Sequence, residues 1–199
     1  MPNLFDHLDE LIKSDIHPTE REEEIWARYG KRVAVMVIDS SGFSRVTEQH
    51  GILHFLCQLM IMRRLIRDVC QSHHSQDFRF EADNVYATFA HPDEAIKAAL
   101  IIHEVVDRER LMLTPAEPFR VCIGIGYGDL LHSETLEGYF GTEMNLASKL
   151  GEDTARSGET LITEAVFQHA DPGLLTAFTG HRLKTAGIEA TYHRHLFKP

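Results

Sequence analysis

Two aspartates at the ends of strand-like segments are the residues whose type and spacing could do chemistry. Asp39 directly follows the continuous apolar run 33–38, and Asp83 lies between two further runs of strand composition. If the strand that begins at Val85 pairs antiparallel with the strand that ends at Ile38, the end of one meets the start of the other. Both carboxylates then converge on one edge of the sheet.

Two converging carboxylates can share a proton or bind hard cations. Magnesium takes one or two carboxylates plus substrate phosphates, so a nucleotide is the natural third party. The pair Asp83-Asn84 is predicted to form the tight reversal between its two strands, because both residue types tolerate left-handed backbone. The alternative interpretation is structural: Asp39 would cap the helix that follows it, and Asp83 would only fill a turn.

Length, composition and charge narrow the class of protein. A chain of 199 residues with 43% hydrophobic content can bury one good core. The formal charge of −10 repels phosphate backbones, and no basic cluster interleaved with aromatic residues offsets it, so nucleic acid is not an expected partner. No apolar run approaches the roughly 20 residues of a membrane span. Three cysteines without CxxC spacing fit a reducing compartment, and we expect a cytoplasmic protein.

The order of predicted elements gives the organisation. Residues 1–30 form an N-terminal helical appendage, in which Thr19 and Glu22 have the spacing of a capping box. Residues 31–199 form the main domain. It begins with a strand, two helices that break at Gly51, two strands, a helix from Pro92 and a strand, which is the split βαβ plan of an α+β, ferredoxin-like domain (βααββαβ) with an enlarged first crossover.

C-terminal additions to this core are a helix over about 142–155, a strand over 159–163, a short helix to about 170 and a hairpin around 186–187. The second crossover helix carries an apolar stripe that we expect in the core, with members Leu53, Leu56, Leu59, Met60, Met62, Leu65, Ile66 and Val69. In the strand 119–128, alternating glycines allow a close backbone approach or a bend.

With these elements in place, four segments resemble the class III nucleotidyl cyclase domain, the family of adenylate and guanylate cyclases. They are 35–44, 80–89, 121–128 and 139–150, in the family's order and spacing. The resemblance implies the cyclase homology fold and a reaction that converts a nucleoside triphosphate to its 3′,5′-cyclic monophosphate and pyrophosphate. It implies two metal ions per site, Mg²⁺ or Mn²⁺, held by Asp39 and Asp83.

The resemblance also implies a homodimer in which each site is shared between protomers. One protomer gives the aspartates, and the other gives Asn145, which orients the ribose, and the residue that neutralises charge on the phosphate. The family has arginine at that second position and this chain has Lys149, which keeps the charge but loses the planar fork of donors. Backbone groups near the first aspartate are expected to bind the triphosphate, at Ser40, Gly42, Phe43 and Ser44.

The two positions that select the base depart from the family's patterns. Adenylate cyclases generally have Lys and Asp there, and guanylate cyclases generally have Glu and Cys; this chain has Arg79 and Gly138. Arg79 offers only donors, which suits a ring nitrogen or a carbonyl, while Gly138 leaves space. ATP is the first expectation, on the resemblance alone.

Two other functions remain open. The departures at Arg79, Gly138 and Lys149 fit a catalytically weak or inactive cyclase-like module that binds nucleotide and regulates. A third possibility is a heterodimer partner that lends half a site to another cyclase.

Overall fold

The strand that contains Asp39 is the centre of a mixed sheet. The computed structural model describes residues 3–42, 46–48, 51–115, 117–134, 138–185 and 188–199. This strand, β1, spans Gly30–Ser40, and its residues 33–38 are all buried. β1 pairs antiparallel with β3 (Asn84–Phe89) on one side and with β6 (Val121–Ser133) on the other. An apolar run without polar alternation is what a strand covered on both faces requires.

Among the described residues eight strands form this sheet, in the order β2-β3-β1-β6-β8-β10-β9, with β7 paired to the far end of β6. The remaining strands are β2 (Asp77–Glu81), β7 (Gly138–Phe140), β8 (Glu159–Thr163), β9 (Thr179–Thr185) and β10 (Ile188–Leu196). In the part of the chain that the structure describes, β6 and β8 are the one parallel pair. A separate small hairpin consists of β4 (Met112–Thr114) and β5 (Glu117–Pro118).

Long helices cover one face of the sheet and bury the main core. They are α3 (Ile52–Ser72) and α4 (Pro92–Arg108). The short helices α6 (Glu164–His169) and α7 (Pro172–Leu175) pack on the same face. Ala34, Met36 and Ile38 of β1 point into this core. Proline at the first position of α4 has no N–H to lose there, as the sequence predicted.

The other face of the sheet carries a thinner layer. Helix α5 (Thr142–Ser148), which continues as a π-helix over Lys149–Thr154, lies against Val33, Val35 and Val37 of β1. The helix reaches the sheet because β6 has glycines on this face: a Cβ at Gly124 would overlap a backbone carbonyl of α5. The close approach predicted for these glycines is therefore what the structure shows.

The N-terminal segment forms α1 (Leu4–Lys13), a 3₁₀ helix (Pro18–Arg21) and α2 (Glu22–Tyr29), which leads directly into β1. Phe5 of α1 packs edge-on against Phe140 of β7, with 5.4 Å between ring centroids. The capping box predicted at Thr19 and Glu22 is wrong, because it forms two residues earlier. The His17 N–H donates to Glu20, and the His17 ring accepts from the N–H of Thr19. The boundary at residue 30 stays a prediction.

The α+β fold, the βααββαβ plan and the C-terminal additions are confirmed, and two details differ. The turn of the predicted hairpin, 186–187, lies outside the described residues. The strands β4, β5 and β7 were not predicted. Of the first crossover helix only 46–48 are described, and these three residues are helical. In the apolar stripe of α3, three members expected in the core are exposed: Leu53, Leu56 and Met60. Across the described residues no helix is both long and apolar enough to traverse a bilayer.

Candidate active site

Asp39 and Asp83 lie together where β1 ends and β3 begins, because of the register between these two strands. Ile38 pairs with Val85, so the end of β1 lies beside the turn that opens β3. The hydroxyl of Ser40 donates to Oδ2 of Asp83 at 3.0 Å, which ties the two strand ends together. The convergence expected from the sequence is what this register produces.

The turn itself is shifted by one residue from the prediction. Strand β2 ends at Glu81 and β3 begins at Asn84, so Ala82 and Asp83 are the two turn residues. Ala82 has the left-handed backbone (φ 49°) that the sequence assigned to Asp83 or Asn84. The side chain of Arg63 from α3 contacts the carbonyl of Ala82 and holds the turn against the helix.

The environment of Asp39 is unfavourable for a negative charge. Burial, and next the carboxylate of Asp83, raise the pKa of Asp39 to about 6, against a smaller opposite effect of the Ser40 N–H. The carboxylates of Glu152 and Asp153 add to the rise. A carboxylate held in this way gains from a proton or from a cation placed beside it. The donor set therefore fits a hard divalent ion.

The described part of the chain has few further groups near the acidic pair that could bind such an ion or a polyanion. No group of three or more His, Cys, Asp or Glu residues there is arranged around a metal position. Gly42 has φ 88°, a conformation that glycine adopts without strain. Ser40, expected to bind substrate, is buried, and its hydroxyl donates to Asp83; its role in binding stays a prediction. Phe43 and Ser44 fall outside the described residues.

A cavity of about 380 Å³ lies further along the same face of the sheet and contains both predicted base-selecting positions. Arg79, Tyr86 and Val37 are neighbours across β2, β3 and β1. The Arg79 guanidinium lies over the Tyr86 ring, 4.6 Å from its centroid. Gly138 has φ 78°, and a Cβ at Gly138 would lie 2.9 Å from Nη1 of Arg79. The structure thus brings Arg79 and Gly138 together.

Three polar residues that the sequence did not single out line this cavity: Asp77, His132 and Tyr139. The Tyr139 hydroxyl donates to Oδ2 of Asp77 at 2.6 Å, and the His132 and Tyr139 rings lie 4.5 Å apart. Burial raises the pKa of Tyr139 and lowers that of His132, so both are neutral near pH 7. Asp77 precedes Arg79 by two residues on one strand, and this period of two could have identified it.

Asn145 and Lys149 lie one turn apart where α5 becomes the π-helix. Asn145 is exposed on α5, and Lys149 opens the π-helix, where its Nζ donates to Oδ2 of Asp153 at 2.6 Å. The predicted single helix over 142–155 is thus correct in extent, but its second half has π geometry, a feature frequent at functional sites. The Tyr86 hydroxyl donates to Glu152 of the same π-helix at 3.1 Å and links it to the sheet.

Comparison with known proteins supports the fold by structure and not by sequence. No protein-family model and no curated protein matches the chain. Solved structures do match. The adenylate/guanylate cyclase/hydrolase from Silicibacter pomeroyi is 21% identical, covers 85% of this chain and 98% of its own, and has a TM-score of 0.70. The guanylate cyclase domain of RhGC from Catenaria anguillulae, in complex with GTP, is 16% identical over 85% and 98% of the two chains, with a TM-score of 0.66.

The adenylyl cyclase CyaB from P. aeruginosa gives 17% identity, coverage of 85% and 96%, and a TM-score of 0.65. Other similar structures include a rhodopsin-guanylyl cyclase core with converted specificity in complex with ATPαS, and a non-canonical dimeric guanylyl cyclase domain from Blastocladiella emersonii. At these identities the likeness establishes the fold, which is that of class III adenylate and guanylate cyclase catalytic domains.

Proposed function

We propose that the protein is a nucleotidyl cyclase, a lyase that converts a nucleoside triphosphate to its 3′,5′-cyclic monophosphate and pyrophosphate. The observation that carries the proposal is the pair Asp39 and Asp83 at one sheet edge, within the fold of cyclase catalytic domains. In the reaction the ribose 3′-hydroxyl oxygen bonds to the α-phosphorus and loses its proton to water. The bond from the α-phosphorus to the bridging oxygen breaks, and pyrophosphate leaves with the electron pair.

The acidic pair is the part of this chain that would hold Mg²⁺ or Mn²⁺. Bound divalent ions lower the pKa of an attacking hydroxyl and neutralise charge on the leaving phosphates. The raised pKa of Asp39 supports the assignment, because burial and the neighbouring carboxylate make a cation there favourable. Ser40 would orient Asp83, and the backbone at Gly42 would lie close to the phosphates.

The remaining groups would come from a second copy of the chain. Asn145 would orient the ribose, and Lys149 would place its charge against the α-phosphate in the transition state. Both lie in α5 and its π-helical continuation, on the thinly covered face of the sheet, and Met144 of α5 lines the cavity that contains Arg79 and Gly138. A homodimer that pairs these faces would bring one protomer's acidic pair to the other protomer's cavity.

The nucleotide is a purine triphosphate in this proposal, since the similar structures include complexes with GTP and with ATPαS. ATP follows from the sequence resemblance, and nothing in the geometry of the acidic pair distinguishes it from GTP. The base is decided by the cavity that contains Arg79.

A nucleotide-binding module of low or no turnover is the second candidate. The observation that favours it is the ion pair of Lys149 with Asp153, because it engages the ammonium group that the reaction would need. Such a module would bind a triphosphate and metal without consuming the nucleotide.

One assay separates the candidates. The purified protein is incubated with each of ATP, GTP, CTP and UTP and with Mn²⁺ or Mg²⁺, and the products are separated by chromatography. A cyclic monophosphate that disappears in Asp39→Asn is the expected result. Metal-dependent binding by calorimetry without any cyclic product would favour the binding module and overturn catalysis. Activity that arises only on mixing with another cyclase chain would identify a heterodimer partner.

A further inference from the structure

The cavity that contains Arg79 and Gly138 has an arrangement of charges that the base-selecting pattern of the resemblance does not include. Asp77 and Arg79 are two residues apart in β2, so their side chains share one face of the sheet, and both line the cavity. One is a pure acceptor and the other a pure donor. Together they can bind a nucleobase that presents acceptors to Arg79 and donors to Asp77.

Asp77 is held in position from two sides. Its backbone N–H donates to the Thr88 hydroxyl at 3.2 Å, and its carboxylate accepts from the Tyr139 hydroxyl at 2.6 Å. The Asp77 side chain is nonetheless 53% exposed. Because an ionised carboxylate has about four acceptor sites, it can still accept two parallel N–H donors.

Arg79 owes its place to Gly138. The guanidinium lies over the Tyr86 ring and occupies the space that any side chain at position 138 would fill, with 2.9 Å between Nη1 and an added Cβ. Its ion pair with Glu81 is long, at 3.9 Å, and Glu81 is 67% exposed. A guanidinium carries five donors in a rigid fork, which suits two adjacent acceptors.

Guanine can form two hydrogen bonds with the Arg79 guanidinium and two with the Asp77 carboxylate. Adenine can form only one with each. Guanine presents O6 and N7 as two adjacent acceptors, the usual partners of arginine. Its N1–H and N2–H₂ groups are two parallel donors, which a carboxylate accepts together. Adenine offers a ring nitrogen next to an amino group on each edge, so each fork would make one bond and leave one polar group unpaired.

We propose that this cavity selects guanine, with Arg79 on the O6 and N7 edge, Asp77 on the N1–H and N2–H₂ edge, and Tyr139 as the positioning residue for Asp77. The inference rests on the proposed function, because it names the base of that triphosphate as guanine where the resemblance pointed to ATP. The preferred substrate is then GTP and the product cyclic GMP.

Calorimetry with 3′-deoxy triphosphates tests the base apart from catalysis, because these analogues lack the hydroxyl that cyclises. The full-length protein with Mn²⁺ is titrated with 3′-deoxyGTP, 3′-deoxyITP and 3′-deoxyATP. We expect 3′-deoxyGTP to bind about tenfold or more tightly than 3′-deoxyATP, since adenine would leave one polar group of each side chain unpaired. The inosine analogue lacks the N2 amino group and falls between them.

Variants assign the preference to these residues. Asp77→Asn weakens 3′-deoxyGTP binding and does not weaken 3′-deoxyATP binding, because an amide offers both the donor and the acceptor that an adenine edge needs. Arg79→Lys, which keeps the charge and loses the fork, also removes the preference. Asp68→Asn is the matched control: Asp68 is exposed on α3, across the sheet from the cavity. Tyr139→Phe reduces the preference by less, because Asp77 keeps its backbone bond to Thr88.

The outcomes separate this inference from the cyclase proposal. Tighter binding of 3′-deoxyATP, or an equal loss for both nucleotides in Asp77→Asn and Arg79→Lys, overturns guanine selection even if cyclic AMP is formed. A clear guanine preference without cyclic product from any triphosphate supports the cavity assignment and overturns catalysis. Failure of every analogue to bind overturns both.

Discussion

At the scale of the residue, Asp39 shows how a side chain of the candidate site can lower the stability of the folded state. A carboxyl that is partly buried beside a second carboxyl loses hydration and gains repulsion, and this holds its pKa at about 6 instead of 3.8. The folded state therefore binds the proton more tightly than the unfolded chain does. Asp39 stabilises the fold where it is protonated, and that contribution is lost as the pH rises through about 6.

The first prediction is that Asp39→Asn stabilises the metal-free protein at pH 7 while it abolishes cyclic product. Asparagine keeps the shape and removes the charge. The melting temperatures of the two proteins should agree below about pH 4, separate as the pH rises from about 4 to about 6, and stay apart at higher pH, with the variant higher. Added Mn²⁺ should raise the wild-type melting temperature and leave the variant's nearly unchanged. A variant less stable than wild type at pH 7 would show that the charge on Asp39 is already compensated.

Lys149 supports a second prediction, about the transition state. If its ammonium group neutralises the α-phosphate, Lys149→Ala lowers kcat by roughly 100-fold, the usual effect of losing one such donor, with little change in KM. Lys149→Arg should raise kcat, because guanidinium offers two donors in a plane. Steady-state kinetics with GTP and ATP measures both effects. Unchanged kcat in Lys149→Ala would make the residue an ordinary surface lysine paired with Asp153.

At the scale of the element, the glycines of β6 set the distance between the sheet and α5. A third prediction concerns Gly124→Ala: a Cβ there would meet the backbone of Ala147 and of Gly151, neither of which can rotate away. The expected loss is about 1–3 kcal/mol in the free energy of unfolding, the usual effect of overpacking. The displaced helix would also carry Asn145 away from its position, so kcat should fall.

The same strand supplies the control for that prediction. At Gly128 an added Cβ would meet no backbone atom, but only the side chain of Glu143, with Cγ at 3.0 Å. Because a side chain gives way more easily than a backbone, Gly128→Ala should destabilise the fold less than Gly124→Ala does. Urea titration of both variants gives the comparison, and equal losses would mean that the close approach of α5 does not depend on these glycines.

Most elements of this fold could be predicted because their patterns are local. The continuous apolar run of β1, proline at the start of α4 and the alternating glycines of β6 each have one physical reading, and the structure agrees with all three. The strands β4, β5 and β7 are two or three residues long and have no periodicity to read. Their pairing depends on neighbours distant in sequence.

Helix α3 shows where the local pattern misleads. It is apolar on nearly every side, so the sequence placed Leu53 and Met60 in the core, yet they are 75% and 56% exposed. Only Phe55, Leu59 and Met62 and the residues in phase with them face the sheet. Which stripe of such a helix is buried depends on the angle at which it packs, and a sequence period does not contain that angle.

The candidate site also contains some residues that local sequence patterns predict and others that depend on contacts distant in sequence. Asp39 and Asp83 could be found from strand ends, because antiparallel pairing brings such ends together. The turn was displaced by one residue because Ala82 takes the left-handed conformation, which its type does not favour. Asp77 gave no signal beyond its period with Arg79, since its link to Tyr139 spans 62 residues of sequence.

At the scale of the whole molecule, the two faces of the sheet are unequal. Helices α3, α4, α6 and α7 bury a large core on one face, while the other has a small cluster beneath α5 and β7. The acidic pair, the cavity, Asn145 and Lys149 all belong to the second face or its edge. A twofold dimer that pairs these faces would create two equivalent sites, each with groups from both chains.

The last prediction follows from a site that is shared between two protomers, and it concerns complementation between two inactive variants. Asp39→Asn and Asn145→Ala each damage a different half of every site in their own homodimers. When the two are mixed and allowed to exchange, each heterodimer has one site with both halves intact. About a quarter of wild-type activity should return, because random exchange gives about half heterodimers with one working site of two.

Mixing Asp39→Asn with Asp83→Asn is the matched control for complementation. Both changes lie in the same half, so each site of that heterodimer still has one damaged aspartate, and no activity should return. Product formation in a titration of one variant against a fixed amount of the other gives the measurement. If Asp39→Asn and Asn145→Ala stay inactive at every ratio while light scattering shows that they form mixed dimers, the acidic pair and Asn145 serve the same protomer, and the shared site is wrong.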